Sequence, residues 1–347
     1  MGFKYLVIAI LLIVAELVFL RLAKRYHIVE PCTPRSSHQQ DMLTGGGVIF
    51  PLAIGLYALF FGLQYSWFML GLLLVCIVSF WDDVHPLSGG LRLVVQFVAT
   101  VLMFGSIVIG FDWLMSMAWY WQVLIAAVAL FFCVGATNII NFLDGINGIT
   151  AAYALAMLVP LLLVDGAFAG QVRDGGVGFI EPSYLVVAII GVLVFSIFNF
   201  RPKGKAKCFA GDVGSIGIAF IILFALGRLM LATKDVTWIV LFLVYGIDGS
   251  LTIFHRIMLH ENLGQAHRKH AYQLMANELK MSHVTVSCIY MVLQLIISLG
   301  FIYLCPNTIL AHWVYLIGAG VVLAIGYILF MRKYYYLHEQ YLKSLEK

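Results

Sequence analysis

FKYLVIAILLIVAELVFL, residues 3–20, is an almost unbroken apolar stretch closed by Arg21, Lys24 and Arg25. It is too long for a signal-peptide core, and no small-residue cleavage site follows it, so it reads as an uncleaved first membrane helix. Further apolar runs lie near 46–63, 67–81, 92–110, 119–137, 149–165, 183–199, 214–231, 237–254, 284–304 and 311–331. A crossing needs about 20 apolar residues, so about 10–11 transmembrane helices are expected, with the short run at 67–81 the weakest span. Eleven such runs are too many for the core of one soluble domain. Composition agrees: 63% of the 347 residues are hydrophobic and 11% are charged, against about 45–50% and about 25% in soluble domains. A soluble enzyme, a disordered chain and a secreted disulfide scaffold are thereby disfavoured. With no internal repeat, low-complexity segment or second domain, residues 1–347 read as one all-α polytopic membrane domain. The six cysteines are scattered without a CxxC pair, which suggests neither a disulfide framework nor a zinc site.

The basic residues set the expected direction of the spans. Arg and Lys fall overwhelmingly on the connections 21–45, 81–92, 199–213 and 255–283 and on the tail 331–347; Lys4, Arg173, Arg228 and Lys234 are the exceptions. The positive-inside rule makes the rich side cytoplasmic. Nine of the ten histidines, all but His312, lie on that side, as do Asp82, Asp83, Asp144 and Asp212. A transporter would place ionisable groups near the bilayer midplane on broken helices. Here they form a reaction surface at one face, which suits a cytosolic, polar, anionic substrate.

Five constellations occupy that face. Asp82-Asp83 are adjacent carboxylates at a helix end, which repel each other unless a cation or a proton-transfer task compensates; the plain alternative is a solvated terminus. Arg92 opens the next helix and could snorkel to the interface or hold a phosphate in a bidentate grip. In Asn138-Ile-Ile-Asn141-Phe-Leu-Asp144-Gly-Ile-Asn147-Gly, the residues Asn138, Asn141 and Asp144 fall within an arc of about 120° on one helix face. They are either a capping cluster or hard oxygen donors suited to Mg²⁺ with phosphates completing its shell. Phe209-Ala-Gly-Asp212-Val-Gly-Ser215 follows Arg201, Lys203, Lys205 and Lys207. A carboxylate there is either an N-cap or part of a site for a metal-bound diphosphate. The loop Gly264-Gln-Ala-His267-Arg268-Lys269-His270 is either a solvated basic loop or a phosphate-binding group. Arg35-Ser-Ser-His38 and Thr44-Gly-Gly-Gly47 form the fifth, whose glycines let backbone amides approach an anion. Asp248, inside its apolar run, is costly in lipid and is expected to pair with a cation.

Taken together, the TGGG turn, the Asp-Asp pair, NxxNxxDGxNG, FxGDxGS and the histidine loop, in that order over roughly 30–275, resemble the polyprenyl-phosphate N-acetylhexosamine-1-phosphate transferases. This is the glycosyltransferase family 4 type that includes the translocase starting lipid-linked peptidoglycan precursors. RSSH and AHRKHAYQ look most like the bacterial subfamily that starts O-antigen and capsule units. The resemblance implies transfer of a sugar 1-phosphate from a UDP-sugar to undecaprenyl phosphate, with UMP leaving, at the cytoplasmic face of a bacterial inner membrane. It implies Mg²⁺, or Mn²⁺, held by Asp212 and Asn141 with Asp144 close by. Asp82 and Asp83 would act on the lipid phosphate or its proton. Arg92, His267, Arg268 and His270 would hold the diphosphate, Asn147 would sit near uracil, and Asn138 and Lys205 would also face substrate. Dimers occur in the family, and no nucleic-acid partner is implied. Relatives often carry a Pro-Arg or similar pair before the glycines, where this chain reads Leu43-Thr44. Two rival classes are weighed beside it. A secondary transporter for an anionic nucleotide-sugar or lipid predicts midplane charges and repeat symmetry. A CDP-alcohol phosphatidyltransferase needs a DGxxAR run, and Asp144-Gly145 is followed by Ile-Asn-Gly-Ile.

Overall fold

A computed structural model describes residues 2–32, 41–166, 176–262, 264 and 267–345. The segment Arg35–His38 and residues 265–266 of the histidine loop lie outside the described residues. The chain is all-α and polytopic, with one two-residue antiparallel pairing among the described residues, β1 (Val29–Glu30) with β2 (Met42–Leu43). The helices are α1 (Gly2–Arg25), α2 (Ile49–Phe61), α3 (Ser66–Val84), α4 (Gly89–Val108), the single turn α5 (Asp112–Met115), α6 (Trp119–Phe142), α7 (Ile149–Asp165), α8 (Pro182–Asn199), α9 (Gly211–Thr233), α10 (Leu243–Met258), the short α11 (Ala271–Asn277), α12 (His283–Leu304) and α13 (Ile309–Leu345).

Among the described residues nine helices are long and apolar enough to cross a membrane, and the apolar helices Gly46–Phe61 and Ile149–Asp165 are shorter. The eleven sequence runs therefore divide nine to two. The 67–81 run is a full helix of 19 residues, because Trp81, Asp82 and Asp83 continue its last turn past the apolar limit. Three edges differ from expectation, the first and the third because polar residues extend a helix beyond its apolar stretch. The supposed connection 135–148 is helical through Phe142. The run beginning at 237 opens as a 3₁₀ segment, Val236–Phe242. The tail after 331 continues α13 to Leu345, giving a helix of 37 residues, about 55 Å at 1.5 Å per residue, well beyond a hydrocarbon core of about 30 Å.

Helix α9 forms the centre. It is buried on every side from Val213 to Leu226, the pattern of a helix surrounded by other helices. Helices α3, α6 and α7 pack against it, and α12 covers α7. Small residues set the spacing: Gly47 lies against Gly214, where a methyl on either would collide with backbone. The outer helices α1, α6 and α13 present exposed apolar side chains such as Phe3, Phe131 and Val322, the surface a lipid-facing helix requires. Because successive long helices alternate in direction, the C-terminal ends of α3, α6, α8 and α10 and the N-terminal ends of α4, α7 and α9 meet at one end of the bundle. All the described motifs are therefore brought to that end.

Candidate active site

The TGGG turn and the Phe209–Asp212 segment build the floor. Gly46 N–H donates to Phe209 O at 2.9 Å, Gly47 N–H to Ala210 O at 3.0 Å, and Phe209 N–H to Leu43 O at 2.8 Å. The Gly46 and Gly47 amides, expected to approach an anion, are thus spent on carbonyl oxygens of another backbone segment. Gly211 adopts φ +70°, and a side chain there would also meet Asp83 Oδ2 at 2.6 Å. Glycine is required by both the left-handed conformation and the close approach.

Asp83 supplies the missing acceptor at the start of α9. Its Oδ1 accepts from Asp212 N–H at 2.7 Å and its Oδ2 from Val213 N–H at 3.1 Å. A carboxylate from α3 thereby caps α9 across 129 residues of sequence. Asp212, turned outward by that cap, accepts from Asn141 Nδ2 at 2.8 Å through Oδ1 and from Arg92 Nη1 at 3.2 Å through Oδ2. The same Arg92 nitrogen donates to Asp82 Oδ2 at 2.8 Å, and Asp82 Oδ1 accepts from Leu87 N–H at 2.6 Å. Carboxylates from α3 and α9 converge on one guanidinium nitrogen from α4, so this point attracts positive charge.

Asp144 lies just beyond α6 and accepts a hydrogen bond from Thr150 Oγ1. Its carboxyl is raised to about 7, chiefly by burial and further by the negative charges of Glu30 and Asp212, with Thr150 opposing. Glu30, on β1, is the acidic residue that sequence reasoning missed. The residue as a whole meets solvent, yet protein around its carboxyl raises it to about 6 by desolvation, with Asp212 adding to the rise. No motif marks Glu30; a Val-Glu pair before an undistinguished loop carries no spacing signal.

The remaining expected site residues are placed differently from one another. Asn138 donates to Gln96 Oε1 at 2.7 Å. Asn147 is buried, and its amide donates to Arg201 O and Pro202 O at 3.0 and 3.1 Å, tying down the basic turn. Lys205 is exposed on that turn. His270 is buried with Nδ1 3.3 Å from Asp248 Oδ1. Arg268 donates to Glu278 Oε1 at 2.7 Å and stacks on Tyr341. Asn138, Asn147, Arg268 and His270, expected to touch substrate, thus each hold a protein partner, while the buried Arg268 Nε and His270 Nε2 have no hydrogen-bond partner among the described residues. His267 packs edge-on against Phe142. Burial, and then the neighbouring His270, Arg256 and Lys269, pull its pKa down to about 3, so it is neutral at pH 7. Asp248, expected to pair with a cation, lies against the His270 ring, an ion-pair partner when protonated, and gathers further donors: Tyr290 Oη at 2.7 Å, Ala271 N–H at 3.1 Å and Tyr272 N–H at 3.5 Å. It caps α11, whose Tyr272 hydroxyl donates to Phe142 O at 3.2 Å, two residues before Asp144.

The donors at the centre are oxygens and amides. Among the described residues no three His, Cys, Asp or Glu side chains stand ready as a metal cage. Mg²⁺ needs none, since it is usually bound by one or two carboxylates with substrate phosphates and water. Asp212 beside Asp82, already converging on a cation, fits that requirement.

A membrane bundle with this acidic centre at one end defines a class. Residues 65–230 match the model of glycosyl transferase family 4, the type that the five motifs resemble in their order. It is 30% identical to the phospho-N-acetylmuramoyl-pentapeptide-transferase of Shouchella clausii, over 58% of this chain and 65% of that protein. It is 26% identical to the enzyme of the same name from Thermotoga petrophila, over 63% and 70%. It is also 25% identical to a probable undecaprenyl-phosphate N-acetylglucosaminyl 1-phosphate transferase of Bacillus subtilis, over 78% and 76%. The chain thus spans just under two thirds of the length of the Shouchella protein.

Proposed function

We propose that this protein transfers an N-acetylhexosamine 1-phosphate from a UDP-sugar to undecaprenyl phosphate. A phosphate oxygen of the acceptor bonds to the sugar-linked phosphorus of the donor. The bond from that phosphorus to the bridging oxygen breaks, UMP leaves with the electron pair, and a diphosphate-linked sugar lipid remains. The observation that carries the reading is the convergence of Asp82, Asp212 and Asn141 on and around Arg92, at one end of a membrane bundle. A lipid with an anionic head and a long apolar tail can react only where protein meets both lipid and water.

The two reactants are anions, so bringing them together requires positive charge and donors placed before reaction. Arg92 lies between two carboxylates, and its planar guanidinium suits a phosphate. Asp212 and Asp82, with Asn141 alongside, would hold Mg²⁺ or Mn²⁺, which supplies charge neutralisation on the diphosphate. Asp83 keeps Asp212 aimed by capping α9. Asp144, whose carboxyl sits near neutrality, is suited to take the acceptor phosphate's remaining proton near pH 7. Neutral His267 offers an uncharged hydrogen bond. The distribution of Lys and Arg supports a cytoplasmic location for this end, and the family supports a cell-membrane enzyme that starts a surface polysaccharide. The charges gather at one end, which does not favour a midplane transport site.

The test is direct. Purified protein with undecaprenyl phosphate, Mg²⁺ and a panel of UDP-N-acetylhexosamines is expected to release UMP only when lipid and donor are both present. Excess EDTA is expected to stop release, and added Mg²⁺ or Mn²⁺ to restore it. Absence of UMP release across the panel would refute the proposal.

A further inference from the structure

The last helix carries no motif, yet its far end reaches the histidine loop. Glu278, just after α11, accepts Arg268 Nη2 at 2.7 Å and lies 3.1 Å from His338 Nδ1 of α13. The Arg268 guanidinium lies 4.0 Å from the Tyr341 ring centre, also on α13. These groups are nearly closed to solvent, with side chains 10% exposed for Arg268, 4% for Glu278 and 2% for His338. Burial alone would raise the Glu278 carboxyl, but His338 and Arg268 outweigh it and hold it below the usual carboxylate range. A separate apolar patch closes the joint: Ala271 and Leu274 of α11 pack on Met331, flanked by Tyr327, Phe330 and Tyr335. Thr252 Oγ1 and Tyr327 Oη, 2.8 Å apart, link α13 to α10 as well.

We infer that the end of α13 is a brace for the histidine loop, with His338, Tyr341 and Glu278 as positioning residues and Arg268 as a strut that touches no substrate. The inference rests on the proposed transfer reaction. Its geometry is continuous. Through Arg268 and Glu278 the brace fixes the start and end of α11, and through Tyr272 it reaches Phe142 O, on the turn that presents Asp144. His267, one residue before the strut, is then held over Phe142. A buried ion pair loses most when one partner alone is removed, because the other charge is stranded, and much less when both go. That asymmetry separates a strut from a substrate ligand.

Four variants of the full-length protein in detergent decide it: His338→Ala, His338→Gln, Arg268→Met and Arg268→Met with Glu278→Gln. Loop order is read by the rate of trypsin cleavage after Lys269, which needs no turnover. Catalysis is read as KM for the UDP-sugar against kcat. His338→Ala is expected to speed cleavage about tenfold and raise KM about tenfold, with kcat within about threefold of the wild type. His338→Gln, which retains a donor, is expected to restore both. Arg268→Met is expected to behave like His338→Ala, and the double variant to recover to within about threefold of the wild type. Wild-type cleavage and KM in His338→Ala would overturn the brace. A double variant as impaired as Arg268→Met would overturn the strut and make Arg268 a substrate contact. If the wild type itself released no UMP, the transfer reading would fail, and the cleavage rates would still judge the brace.

Discussion

Replacing Asp83 by Asn tests how the centre is built. The Asp83 carboxylate holds the first turn of α9 through the N–H groups of Asp212 and Val213. Asn keeps one acceptor oxygen but turns an NH₂ group toward the other N–H, so one hydrogen bond is lost and two donors face each other. Leaving a buried donor unsatisfied costs about 1–3 kcal/mol. At about 1.4 kcal/mol per factor of ten, the turn loses roughly 5–150-fold of its preference for the bound geometry. Asp212 sits on that turn, and its two oxygens must meet Asn141 and Arg92 together. The rate of UMP release at saturating substrates is therefore expected to fall by roughly 5–150-fold. Thermal unfolding in detergent is expected to remain a single transition, because the α9 core from Val213 to Leu226 is untouched. Turnover within twofold of the wild type would refute the reasoning. A loss above about a thousandfold would exceed what a displaced turn explains and would give Asp83 a chemical task of its own.

Further expectations follow from the same geometry. Gly211→Ala forces a methyl into a left-handed residue, at a cost of about 1–2 kcal/mol, and toward Asp83 Oδ2; UMP release is expected to fall at least as far as in Asp83→Asn, and an active Gly211→Ala would contradict the assigned backbone. Arg92→Ala leaves Asp82 and Asp212 facing each other without their shared cation, so the concentration of undecaprenyl phosphate giving half-maximal rate is expected to rise about tenfold or more, measured by lipid titration. The raised carboxyls of Asp144 and Glu30 fix a sign for stability against pH. The folded state keeps protons that the unfolded chain has released, so these two groups cost stability progressively as pH rises from about 4 to about 7. His267, with its pKa pulled down, works oppositely: its burial costs stability below its ordinary value near 6.5, and the cost fades as pH rises toward it. In EDTA-treated protein, Asp144→Asn is therefore expected to gain melting temperature relative to the wild type as pH rises from 5 to 7.5; a constant difference would show that Asp144 titrates normally.

Some of this was legible in the chain and some was not. Apolar runs and the sorting of Lys, Arg, His and Asp are local properties, because a helix crossing lipid must be apolar over its own length and polar only at its ends. The membrane class, the all-α fold and the gathering of motifs at one end therefore follow from residues 3–331 read in order, and the chemistry of carboxylates, amides and cations was visible in the motifs. Which of those groups face substrate and which face protein was not visible. Asp83 caps a helix that begins 128 residues later, Asn147 ties down the turn at 201–202, Arg268 leans on Tyr341, and Glu30 enters the field of Asp212 from a strand with no motif. Each depends on two segments meeting in space, and a side chain's hydrogen-bond partner is set by packing between helices, which the periodicity of either helix alone does not carry.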